Sequence, residues 1–396
     1  MKFISPIKRY ALYAVLFTLP MFIRLNNIFL VIFFALFILE GGFKMKLDNL
    51  KRNYRLMVPL VLIFLLALLA ALNLPESVGS VFKNLEKYWG LLIIPITIIS
   101  CPEEYNKEWR NLFMALLWGC IATLAICYGN AIYEMFVGNE PLHYFWRFRH
   151  LNHQFTAIAD THPAYLGLFI VVSITYLFME SSYKKWAKII ICFILLLGLI
   201  QLASRTAIIC TLLMGVILLW SRIKTNWKEI AIGFGVFALI GLLFINTASS
   251  FMKERLISFQ NIENDQRLSR YKVSYDIFTE YPVFGVGFAN KETVRKEKYL
   301  ENNFITAAEE RYNAHNQLLE YLSVNGIIGG IIFLGVFGYL LFMAWRKRQF
   351  FFFWALVLFF IANLTESMLV VIKGIEFFAI TVSLLIILNK KEKSFS

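Results

Sequence analysis

Residues 56–74 read LMVPLVLIFLLALLAALNL, an uncharged and almost wholly apolar run from Leu56 to Leu74, entered from Arg52 and Arg55. A bilayer hydrocarbon core of ~30 Å takes about 20 such residues in a helix. The stretch therefore predicts a membrane span. Comparable windows recur about twelve times, near residues 10–23, 26–43, 56–74, 88–100, 110–137, 163–180, 187–203, 206–221, 229–246, 322–344, 350–365 and 374–389. Composition agrees, since 59% of the 396 residues are hydrophobic and only 16% are charged. A soluble globule usually has ~45–50% and ~25%. The chain reads as an all-α, polytopic integral membrane protein, which excludes a soluble enzyme, a nucleic-acid binder and a disordered scaffold.

The net charge of +13 is first a statement about topology. Basic clusters at Lys2/Lys8/Arg9, Lys44/Lys46/Lys51/Arg52/Arg55, Lys107/Arg110, Lys184/Lys185/Lys188, Arg222/Lys224/Lys228, Arg346/Lys347/Arg348 and Lys390/Lys391/Lys393 fall on every second boundary. That pattern places them, and both termini, in the cytoplasm. The first apolar run is read as a retained helix, because no small-residue cleavage site follows it. Cys101, Cys120, Cys127, Cys192 and Cys210 lie in or beside apolar stretches, so neither a disulfide framework nor a cysteine metal site is expected. One long segment is left outside, about Thr247–Glu320, carrying ten Lys and Arg; long loops translocate regardless of charge. The expected organisation is 1–246 (nine spans), 247–321 (large external loop) and 322–396 (three spans). Within the loop, Gln266–Glu280 has helical spacing. Ala307–Leu322 is expected to start a helix that runs into the tenth span.

Several external residues carry chemistry. Arg205 sits between two apolar runs in GLIQLASRTAIICTLLMG, where it is either an arginine snorkelling to the interface or an anion anchor, since guanidinium grips phosphate oxygens bidentately. Arg267 and Arg270 project from one face of the expected loop helix and could clamp a pyrophosphate, or form a solvated face balanced by Glu263, Asp265 and Asp276. Tyr281-Pro282-Val283-Phe284-Gly285-Val286-Gly287 stops that helix with glycines that admit close backbone approach. His315 stands just before the chain re-enters the bilayer. It is either an interfacial histidine bonded to a headgroup or a group able to take a proton from a hydroxyl. In the preceding external loop, His143–His150 alternates aromatics with Arg147 and Arg149, and Asp160-Thr161-His162 follows. Phe145 and Phe148 read as a membrane belt; Arg147, Arg149 and His162 remain site candidates. No zinc spacing and no external Asp-x-Asp pair are present, so no metal and no cofactor are expected.

Taken in order, Arg205 in a tight external turn, Arg267-x-x-x-Tyr271 followed by Pro282-x-x-Gly285-x-Gly287, His315-Asn316, and Gly326-x-x-Gly329 resemble the O-antigen ligase and polymerase superfamily. The resemblance is sharpest over Ser204–Gly330 and elsewhere extends only to hydropathy. It implies a membrane-embedded glycosyltransferase fold of the C type in a bacterial inner membrane, with its active site on the periplasmic face. It implies an inverting, metal-independent reaction whose donor is a glycan on undecaprenyl pyrophosphate. For a ligase the acceptor is a sugar hydroxyl of the lipid A core. Carried onto this chain, the catalytic residues are His315, Arg205 and Arg267; beside them, Arg270, Tyr271 and Asn316 of the same stretches, and Arg147, Arg149 and His162 of the aromatic loop, are read from the residues as substrate contacts. The expected partners are the lipid-linked donor, the glycan acceptor and membrane lipids, with no nucleic acid.

The same motifs serve O-antigen and exopolysaccharide polymerases and protein O-oligosaccharyltransferases, which differ in acceptor. The single large external loop tilts the reading to a ligase. A secondary transporter would place ionisable residues near the midplane of several spans, and here only Glu134 and Glu366 come close to that.

Overall fold

The computed structural model describes residues 4–72, 82, 85–141, 145, 148–222 and 266–388. Every regular element among them is helical: α1 (Ile4–Thr18), α2 (Ile23–Leu39), α3 (Phe43–Leu72), α4 (Gly90–Ile99), α5 (Pro102–Val137), α6 (Asn152–Thr156), α7 (Pro163–Met179), α8 (Lys185–Leu202), α9 (Arg205–Arg222), α10 (Gln266–Glu280), α11 (Gly287–Glu301), α12 (Ile305–Glu309), α13 (Gln317–Arg346), α14 (Phe350–Thr365) and α15 (Ile372–Ile387), with short 3-10 turns between some of them. Four of these, α3, α5, α8 and α13, are long and apolar enough to cross a membrane. A fifth span arises if Asn152–Ala159 and Pro163–Met179, bent by 79°, are counted as one. The bend is built by Asp160 at φ 49° and by Pro163, whose ring starts the next helix. Several other expected spans are short. α14 and α15 have 16 residues each, or ~24 Å at ~1.5 Å per residue, against a hydrocarbon core of ~30 Å. The window at 229–246 lies outside the described residues.

The chain divides into two units. One comprises Met1–Leu12, Ile28–Asn111 and Asn264–Ser396, the other Tyr13–Asn27 and Leu112–Glu263. In the second unit, helices meet where a side chain is missing: a Cβ on Gly119 would enter the backbone of Phe17, and one on Gly167 would press on Ala207. Such small-residue contacts let apolar helices associate where burial from water supplies no force.

In the first unit α13, α14 and α15 share an aromatic core. Phe337 lies 5.0 Å from Phe333, 5.6 Å from Phe378 and 6.2 Å from Phe359, centroid to centroid. Lys347, expected only as an orienting cation, donates to the carbonyls of Leu385, Ile386 and Leu388 at 2.9, 2.7 and 2.9 Å. It therefore satisfies acceptors that the C-terminus of α15 leaves open. Outside the apolar helices, Val273, Ile277, Val286, Tyr299, Ala307 and Ala308 form a small core of their own that packs α10, α11 and α12 together.

The glycine motif has a structural explanation. α13 is broken at Gly326, which takes φ 64° and ψ −158°. A break there separates Ser323 O from Ile327 N, the pair that an intact helix would join. The loop after α10 supplies both substitutes. Val286 N donates to Ser323 O at 3.0 Å, and Ile327 N donates to Pro282 O at 2.8 Å. The loop fits because Gly285 (φ 66°) and Gly326 have no Cβ; one on Gly285 would collide with the Val324–Asn325 peptide, and one on Gly326 with Val283. Proline contributes only its carbonyl, so its missing N–H costs nothing.

Gly285→Ala or Gly326→Ala should therefore destabilise the protein beyond the ~1–2 kcal/mol that a left-handed φ costs an alanine, because backbone must also move. Thermal unfolding of purified protein checks this: a clear loss of melting temperature is expected for both, and a midpoint unchanged in both would contradict the interlocked loop.

Candidate functional site

His315 is held in a short loop that the sequence reading expected to be helical. α12 stops at Glu309, the chain turns through 310–316, and α13 begins at Gln317. Two residues explain the interruption, Arg311 at φ 50° and His315 at φ 48°. A left-handed conformation in a residue with a Cβ costs of order 1–3 kcal/mol and persists only where its surroundings enforce it. The enforcement is visible. Asn313 Oδ1 accepts from His315 N at 3.0 Å, and Glu320 Oε2 accepts from Ala314 N at 3.1 Å. The buried Glu320 is itself fixed by Arg295 at 3.0 Å. Asn316 caps α13, its Oδ1 accepting from Leu319 N at 3.2 Å. Its amide donates to Leu364 O at 3.0 Å. Tyr271 Oη lies 3.4 Å from both Leu364 O and His315 O. The start of α13, the end of α14 and a side chain of α10 are thus stitched around one imidazole.

The chemical centre is a shared carboxylate. Glu366 follows α14 in extended conformation. Its neighbourhood is tied to α13 by Gln317 Oε1, which accepts from Leu369 N at 2.8 Å. Glu366 Oε1 accepts from Arg267 Nη2 at 2.9 Å, and Oε2 lies 2.8 Å from His315 Nδ1. The Glu366 side chain is 5% exposed, while His315 keeps 19% and Arg267 21%. The carboxylate is sequestered and its two partners remain reachable. The carboxylate stands within ion-pair range of Nδ1, which makes no hydrogen bond of good geometry, so Nε2 is the ring nitrogen left for a substrate. The arrangement is that of a base with an orienting acid, beside a guanidinium able to hold an anion.

Arg270, the second loop-helix arginine, points elsewhere. It is 7% exposed and its guanidinium carbon lies 3.9 Å from the centroid of Tyr312. Burial lowers its pKa, opposed by Tyr299 and Tyr312; a guanidinium remains charged at neutral pH. Tyr312 meets His315 edge to face, centroids 6.4 Å apart. Arg270 thus braces the tyrosine next to the histidine.

Arg267, Arg270, Tyr271, His315 and Asn316 therefore come together in the first unit. Arg205, Arg149 and His162 lie in the second, each in a built position, and Arg147 lies outside the described residues. Arg205 opens α9 after a tight turn at Ala203 (φ 45°). Asn152 Nδ2 holds that turn through Leu202 O at 2.9 Å and Ala203 O at 3.1 Å. Gln201 ties it further to His150 O at 2.6 Å. Arg149 contacts Glu134 at 3.6 Å and Glu140 at 3.3 Å. His162 caps α7, Nδ1 accepting from Ala164 N at 3.2 Å. Sequence reasoning missed Glu366 as a site residue, along with Glu320, Arg295 and Tyr312. For Glu366 the signal was present: an acid ending a sixteen-residue apolar helix is costly unless something pairs with it.

No curated protein matches the chain. The sequence model of the O-antigen ligase family matches residues 190–334, which contain Arg205, the loop helices, His315 and the broken start of α13. The chain is a membrane protein in which this match supports a relation to the O-antigen ligase and polymerase superfamily.

Proposed function

We propose that the protein is a ligase-type glycosyltransferase of this superfamily. It moves a glycan from undecaprenyl pyrophosphate to an acceptor hydroxyl, a lipid A-core sugar, on the periplasmic face of the bacterial inner membrane. The observation that carries the reading is the Arg267–Glu366–His315 constellation within and beside the family-matched segment. In the reaction His315 Nε2 takes the proton of the acceptor hydroxyl as its oxygen attacks the anomeric carbon, and Glu366 stabilises the imidazolium. The glycosidic bond to the pyrophosphate breaks on the opposite face, which inverts the anomeric centre. The charge growing on the leaving pyrophosphate is met by guanidinium groups. Arg267 supplies one, and Arg205 is assigned the other. Arginines in this role need no divalent ion to neutralise the diphosphate, so the reaction is proposed to be metal-independent. The fold is read as the C type, with about twelve spans and the α10–α12 segment in a periplasmic loop. A polymerase would use the same donor chemistry and differ only in acceptor.

Arg205→Ala should abolish transfer from purified lipid-linked donor while the protein still accumulates in the membrane; full activity would remove Arg205 from the mechanism. Glu366→Gln should lower kcat by about 10²-fold or more, the range attributed to a positioned general base, and wild-type turnover would contradict the dyad. Chelation with EDTA should leave the rate unchanged, and a strict divalent-ion requirement would overturn the assignment of charge neutralisation to arginine.

A further inference from the structure

A cavity of about 210 Å³ is lined in part by Tyr312, whose ring also meets His315. It lies wholly in the first unit, between α11, α12, the loop 311–313 and the turn before α4. Its floor is buried and aromatic: Tyr88, Phe288 and Tyr299 are 3%, 6% and 1% exposed, with Tyr88 and Phe288 stacked at 6.0 Å between centroids. Its rim is basic, formed by Lys87, Lys291, Lys296 and Arg311, and Arg295 enters from below. Only two carboxylates line it, Glu292 and Glu320, and both are engaged. Glu320 holds Arg295 and the Ala314 amide, and Glu292 meets Arg311 at 3.2 Å. Five cations against two carboxylates leave a formal excess of three positive charges around one concave space.

Two features give this charge a fixed position on the cavity wall. Arg295 is 6% exposed, and its guanidinium is fixed by Glu320 at 3.0 Å and by Ser323 Oγ, to which Nη2 donates at 3.2 Å. Lys291 stands with its ammonium 5.2 Å from the Phe288 ring centroid, and burial pulls its pKa below the ordinary lysine value. A fixed guanidinium beside stacking rings and under a lysine rim complements a ligand with an apolar ring face and an anionic substituent.

We propose that this cavity binds an acidic sugar, bearing a carboxylate or a phosphate, of the acceptor glycan, and so sets acceptor specificity. The proposal rests on the glycan-transfer reading for the word acceptor, but the binding itself does not depend on it. Tyr312 is the wall common to the cavity and to the His315 loop, so a sugar seated there lies next to the proposed base.

The test is a titration of the full-length protein in nanodiscs, without donor, with glucuronate, glucose 6-phosphate, glucose and inorganic phosphate, followed by ligand-observed NMR. The two acidic sugars should bind at least about tenfold more tightly than glucose, as loss of one charge-assisted contact implies. Lys291→Gln and the exposed Lys296→Gln should each weaken them by a similar factor. His315→Ala should leave this binding intact, so failure of transfer and failure of binding are read separately. Equal affinity for glucose and glucuronate would overturn the proposal, as would inorganic phosphate binding as tightly as glucose 6-phosphate. Acidic-sugar binding unaffected in both lysine variants would overturn it too.

Discussion

The interaction on which the site depends is a repair of broken backbone. α13 gives up its Ser323–Ile327 hydrogen bond at Gly326, and the loop 282–286 fills the gap from both sides. Buried backbone polar groups left unpaired are expensive, most of all in a helix at membrane depth, so neither partner can leave without exposing the other. The loop directly follows α10, which carries Arg267. α13 directly follows His315. Locking loop to helix therefore sets the arginine against the histidine, and Glu366 then joins both side chains with one carboxylate.

This makes the glycines, the histidine and the arginine parts of one device. The glycines permit the interlock, the interlock fixes the spacing, and the spacing lets a single buried acid serve two cations. Around it, Glu320 and Arg295 hold the strained backbone of residues 311–315 from one side, and Asn316 and Tyr271 hold it from the other. A base held by several independent contacts requires little reorganisation on substrate binding, which is the physical advantage of preorganisation.

Much of this was legible in the residues. The apolar windows gave an all-helical chain, and the spacing of Leu268, Tyr271, Val273 and Ile277 placed the helix Gln266–Glu280. Arg267, Tyr271, His315 and Asn316 were identified as site candidates and they do cluster. Three things were hidden, for different reasons. The helix expected from Ala307 is interrupted because side-chain bonds from Asn313 and Glu320 to backbone N–H groups outweigh helical propensity. Arg270 shares a helix with Arg267 but turns to Tyr312, because three residues of spacing set a face and not a partner. Glu366 lies about fifty residues beyond His315, and local periodicity carries no information about such pairings. The motif Pro-x-x-Gly-x-Gly read as an approach to an unknown surface; that surface proved to be the protein's own helix break.

The central claim is that His315 acts as the base, and titration of the His315→Ala variant with imidazole tests it most directly, with glycan transfer from purified lipid-linked donor as the readout. Transfer close to zero without imidazole, rising in proportion to its unprotonated form, is the predicted result. A variant that transfers glycan at the wild-type rate with no imidazole present would contradict it.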